Sequence, residues 1–141
     1  MFLFFSAQDI SSIEVGLLDA EGRLLAFRKT ETTPEKYLAT ISGFLAEQQV
    51  FAEVLEKIIV VSGPGAFTAS RLTVTIANAL SFAKNIPVVG VENPKRRGGE
   101  DLIQKFGKDW VRTTSAGFVN PTYDRPPNIT LKKQNRENVK T

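Results

Sequence analysis

Residues 58–91 read IIVVSGPGAFTASRLTVTIANALSFAKNIPVVGV, and the order of residue types in this stretch decides the fold. Residues 58–61 are the short apolar run of a buried strand, and the run breaks at Ser62-Gly63-Pro64-Gly65. Residues 67–84 then contain neither Gly nor Pro, and Leu72, Ile76, Leu80 and Ala83 recur at helical steps, which predicts a long helix. Asn85-Ile86-Pro87 ends it, and residues 88–91, Val-Val-Gly-Val, read as a second buried strand. Strand, helix and strand with apolar strands on both sides is a parallel crossover.

Towards the N-terminus the pattern changes. Residues 2–5 are apolar and give a first strand, and Ile13, Val15 and Leu17 alternate along a second. Asp19-Ala20-Glu21-Gly22 has a tight-turn composition, and residues 24–27 resume an extended pattern, so residues 12–30 form a hairpin. Thr33-Pro34-Glu35 marks a helix start, with a capping hydroxyl and Pro in the first turn. Tyr37, Leu38, Ile41, Phe44 and Leu45 then fall on one apolar stripe of a helix over residues 33–49, and residues 51–56 add a short helical turn. The order β-β-β-α-β-α-β, an antiparallel hairpin followed by parallel crossovers, is that of an α/β ribonuclease H-like domain of the actin, sugar-kinase and Hsp70 class.

Composition narrows the chemistry. The chain has 141 residues, 42% hydrophobic and 23% charged, which suits one soluble globular domain. It has no Cys, which excludes disulfides and cysteine-metal sites, and no His, which removes the commonest general base and the usual zinc ligand. The apolar start MFLFF has no basic residues before it and is too short for a signal peptide, so it is read as a buried strand of a cytoplasmic protein with no membrane span. Residues 1–94 carry 7 basic and 10 acidic side chains, and residues 95–141 carry 11 and 5. With Gly, Pro and charge rising after Pro94, the compact domain is expected to end there. Residues 95–141 then form a short basic extension with one short helix at residues 100–106.

Two features carry possible function. The SGPG loop lacks both the Lys-Ser/Thr ending of a P-loop and the spacing of a dinucleotide fingerprint, so Gly63, Gly65 and Arg71 offer at most a weak anion site at a helix start. A nucleotide site in this fold class also needs a carboxylate for Mg²⁺ after the first strand, where this chain has Ser6-Ala7-Gln8 and then Asp9. On the following helix, Ala69, Thr73 and Ala77 form a small-residue row that lets either the sheet or a second helix approach closely.

The loop and helix SGPGAFTASR with the strand VVGV resemble the TsaB family, also called YeaZ, at Gly63, Pro64, Gly65, Phe67, Thr68 and Arg71 and at residues 87–91. Pro121, Tyr123 and Arg125 resemble the Pro-x-Tyr-x-Arg segment with which its members end. Ala66 and Ala69 stand where the family usually has Ser and Gly, and the first strand lacks its Asp-Thr. The second domain that family members carry before the C-terminal segment is reduced here to residues 92–120.

The resemblance implies a non-catalytic dimerisation subunit of the machinery that forms N6-threonylcarbamoyladenosine at position 37 of tRNA. Its implied partners are a TsaD-type catalytic subunit, a TsaE-type ATPase in the same complex, tRNA indirectly, and a second copy of the chain when TsaD is absent. No cofactor, metal or catalytic residue is expected. The expected interface is the pair of long helices, through Ala69, Thr73, Ala77, Leu80, Ile41 and Leu45. On that reading Ala77→Arg weakens association and leaves the monomer folded. Two other classes fit parts of the sequence: a small actin-like nucleotide-binding or phosphotransfer protein using the SGPG loop and Asp9, and a tRNA-binding accessory protein using Lys95-Arg96-Arg97 and Lys132-Lys133.

Overall fold

An apolar strand with no polar alternation needs cover on both of its faces. The computed structural model describes residues 1–115 and 117–123, and it supplies that cover with helices on opposite sides of one sheet. The elements run β1 (Phe2–Ser6), β2 (Ser12–Leu18), β3 (Leu24–Glu31), α1 (Tyr37–Glu47), β4 (Lys57–Gly63), α2 (Phe67–Lys84), β5 (Val88–Glu92) and α3 (Gly99–Arg112). Single 3-10 turns, Pro34–Lys36 and Ala52–Val54, precede α1 and β4. The sheet order is β3-β2-β1-β4-β5, antiparallel across β1, β2 and β3 and parallel across β1, β4 and β5. This is the mixed α/β sheet of the actin and ribonuclease H-like class, as expected.

Alternation along β1 divides the core. Leu3 and Phe5 face α1 and α2 beside Ile58, Val60, Tyr37 and Ile41. Phe2 and Phe4 face the other way, onto α3, with Ile59, Val61, Leu102, Ile103 and Trp110. The Trp110 ring lies nearly parallel to that of Phe4, with centroids 5.6 Å apart.

Two expectations need correction. Thr33 makes no side-chain cap bond, and the chain enters α1 through the 3-10 turn at Pro34. The compact unit does not end at Pro94: α3 is a 14-residue helix whose Leu102, Ile103 and Trp110 cover the second face of the sheet. Without them Phe2, Phe4, Ile59 and Val61 would face water. Both ends of α3 meet side chains from the sheet. Glu14 on β2 accepts the Gly99 N–H at 3.1 and 3.2 Å. The Lys57 ammonium on β4 donates to the carbonyls of Trp110, Val111 and Thr113 at 3.3, 3.0 and 2.7 Å. An anion at the helix N-terminus and a cation at its C-terminus both complement the helix dipole. The β2–β3 turn docks on the middle of α3, backbone to backbone: a Cβ at Gly22 would lie 2.5 Å from the Gly107 carbonyl carbon.

Candidate functional site

The SGPG loop joins β4 to α2 by tight contacts with three other parts of the chain. Gln8, just after β1, donates its side-chain amide to the carbonyls of Pro64 and Asn93 at 2.6 and 2.9 Å. Its own backbone carbonyl accepts the Ala66 N–H at 2.8 Å. Asn93, just after β5, donates its backbone N–H to Gly63 at 2.8 Å and its side-chain amide to Gln8 Oε1 at 2.8 Å. The third part is residues 122–123: the Thr122 N–H donates to Ser62 at 2.7 Å, Tyr123 bridges Gly65, and its ring lies 4.8 Å from that of Phe67.

These contacts explain the glycines. Gly63 has φ +130°, and a Cβ there would collide with the Thr122 carbonyl oxygen. A Cβ at Gly65 would lie 2.6 Å from Ser70 Oγ and 2.8 Å from the Gln8 carbonyl oxygen.

The expected anion site at Gly63, Gly65 and Arg71 is therefore not assembled. Gly63 and Gly65 are buried against the chain itself, while Arg71 is exposed with its guanidinium 5.5 Å from the Phe67 ring centroid. The Asp9 carboxylate accepts the Ser11 N–H and hydroxyl at 2.9 and 2.7 Å, which holds it below its ordinary range. Asp9 lines a small polar cleft with Glu14, Lys29, Arg96 and Arg97. Burial raises the Glu14 carboxyl against the opposing pull of the Gly99 N–H and Lys29. Arg96 donates to the Gln8 carbonyl at 3.1 Å, and Arg97 pairs with Asp101 at 3.7 Å. Lys132, Lys133 and Arg125 lie outside the described residues.

The helix pair presents a different face from the one expected. α1 and α2 lie side by side on the same side of the sheet. Ala69, Thr73 and Ala77 are fully buried, and the Thr73 hydroxyl donates to the carbonyls of Ala69 and Ser70 at 3.1 and 3.2 Å. Small residues let a helix backbone come close to whatever it packs on, and here that is the sheet. The row is thus absent from the outer surface, and Ile41 is buried with it. Of the six expected interface residues, only Leu45 and Leu80 remain partly exposed.

What faces outward on α2 is Thr68, Arg71, Thr75, Ala79, Phe82 and Ala83, flanked by half-buried Leu72, Ile76 and Leu80. On α1 it is Leu38, Ala39, Ser42, Gly43 and Ala46, and a Cβ at Gly43 would meet nothing within 4 Å. The outer face of the two helices mixes apolar and small residues from both with exposed Ser42, Arg71 and Thr75. Gln8, Asn93 and Asn78, which organise the loop and the flank of α2, were not singled out by the sequence. Their signal is a polar residue following a buried parallel strand, or a lone amide on an otherwise apolar helix. Among the described residues, no helix is long and apolar enough to cross a membrane.

Comparison with known proteins agrees with this architecture. The family model described as TsaD, tRNA N6-adenosine threonylcarbamoyltransferase, matches residues 34–95. Among solved structures, YeaZ from Pseudomonas aeruginosa matches with a TM-score of 0.57 and 28% identity, covering 65% of this chain and 44% of that one. A second Pseudomonas aeruginosa structure, a protein with similarity to peptidase YeaZ, matches with a TM-score of 0.57 and 27% identity, covering 65% of this chain and 43% of its own. A search of curated proteins finds no match. The chain spans less than half the length of the YeaZ structures it matches. Loop motif, sheet order and these likenesses together make the chain a TsaB/YeaZ-like protein.

Proposed function

We propose that this chain is a non-catalytic partner subunit in the formation of N6-threonylcarbamoyladenosine on tRNA, and that it binds a TsaD-type catalytic subunit through the outer face of α1 and α2. The observation that carries this reading is that face itself. It combines the half-buried leucine and isoleucine row of α2 with small exposed residues on α1, Ala39, Ser42 and Ala46, against which a partner helix can approach closely. Two helices from each protein would pack at the shallow angles of a four-helix arrangement. Without TsaD the same face pairs two copies of the chain. The ATPase of the TsaE type and the tRNA are met through the complex.

A direct probe of the face is Ala79→Arg. Ala79 is exposed on α2, so the substitution adds bulk and charge without entering the core. Titration of the folded variant against the TsaD-type protein of the same cell is expected to show affinity lowered about 5- to 150-fold, as for overpacking of roughly 1–3 kcal/mol. Unchanged affinity would remove the face from the interface.

A further inference from the structure

The buried side of α2 is made mostly of small residues, Ala69, Ser70, Thr73 and Ala77, with Val74 as the one larger side chain among them. A small-residue face allows close approach but offers few side chains that interlock with the sheet, so it resists sliding and rolling of the helix weakly. Something beside the helix must fix its tilt. α1 lies over β2, and α2 lies over β4 and β5. On the β5 side, residues 117–123 run along the flank of α2.

Their contacts to α2 and to the sheet are specific. The Asn78 amide makes a reciprocal pair with one backbone unit: Nδ2 donates to the Val119 carbonyl at 2.9 Å, and Oδ1 accepts the Val119 N–H at 2.8 Å. One side chain on a helix thus pairs as a neighbouring strand residue would. Three turns earlier, the Phe67 ring packs on Tyr123. The same segment is fixed to the sheet by the Thr122 N–H on Ser62, and Val119 sits directly on β5, where a Cβ at Gly90 would lie 2.5 Å from Val119 Cγ1.

We propose that residues 117–123 are a strap that sets the tilt of α2, and that Asn78 is the positioning residue through which the strap tunes the α1–α2 face for its partner. The inference rests on the reading of that face as the TsaD-type docking surface. Packed interfaces tolerate little displacement, because complementarity at their centre matches that of a protein interior. A strap that holds α2 within a fraction of its own side-chain spacing therefore acts on affinity without touching the partner.

Two variants reach the strap from opposite sides. Asn78→Ala removes both hydrogen bonds from the α2 side. Gly90→Ala pushes Val119 away from the sheet side, because the three atoms nearest its added methyl all belong to Val119. Each full-length variant is titrated against the TsaD-type subunit, and amide hydrogen exchange is followed over residues 75–84 and over β4. Asn78→Ala is expected to bind about tenfold more weakly, the loss that two neutral hydrogen bonds would give, and Gly90→Ala is expected to bind more weakly as well. Both are also expected to exchange faster over residues 75–84 while β4 stays protected. If Asn78→Ala does not fold, Gly90→Ala decides alone. Unchanged exchange over residues 75–84, or unchanged affinity with a wild type that binds, overturns the strap. A wild type that does not bind TsaD removes the docking reading instead, and the exchange measurement still decides the strap.

Discussion

Gln8 follows β1, where a nucleotide site would be expected to need a carboxylate for a metal ion. Here its amide closes the gap between the ends of the parallel strands by bonding both Pro64 and Asn93. The sequence showed the glycines of the loop, but their reason lay in Gln8 and Thr122, which are distant in the chain and close in space. Two residues invite direct tests. A Cβ at Gly107 would collide with the Gly22 carbonyl oxygen, a backbone atom that cannot move aside alone. Gly107→Ala is expected to cost about 1–3 kcal/mol and to lower Tm by roughly 3–12 °C in a thermal melt. Glu14 gives a pH dependence. Burial raises its folded pKa, so its contribution to stability is full below the ordinary carboxylate value and is lost as pH rises through the folded value. Glu14→Gln keeps an oxygen for the Gly99 N–H and drops the titration. In urea melts at about pH 5 and about pH 7, the wild type should gain on the variant as pH falls. A difference that does not change with pH would contradict this.

The helices differ in how well the sequence reveals them. α2 is expected at residues 67–84 and is found at Phe67–Lys84, because its run has no breaker and ends at Asn85 with a left-handed backbone. Which of its rows meets the sheet was not legible, since a small row and a large row at the same spacing are each compatible with burial. The small row took the sheet, so Ala77→Arg would now drive a charge into a fully buried site and unfold the chain rather than weaken association. α3 was read too short because Gly98, Gly99 and Gly107 and the surrounding charges resemble a linker. Gly99 and Gly107 instead mark close approach to Glu14, Phe27 and the β2–β3 turn, while a Cβ at Gly98 would meet nothing within 4 Å. The expectation at this scale is concrete. A chain ended after Pro94 should show no cooperative urea transition, whereas one ended after Tyr123 should unfold in a single transition followed by circular dichroism. A cooperative fragment 1–94 would show that α3 is dispensable.

At the scale of the molecule, α3 and residues 113–115 and 117–123 follow β5 and complete the sheet's second face and the flank of α2. The match to the YeaZ structures covers 65% of this chain and less than half of theirs. The proposed docking face is built from α1 and α2, which pack on the sheet through Tyr37, Ile41, Phe44, Ala69 and Ala77 and leave their outer sides free of the chain's own core. The most direct test is to mix the full chain with the TsaD-type protein of the same cell and measure complex mass and affinity by light scattering and calorimetry. The account predicts a discrete complex with one chain per TsaD and a Kd of about 10 µM or tighter, weakened by Ala79→Arg. No complex at concentrations of about 100 µM, with both proteins folded, would contradict it.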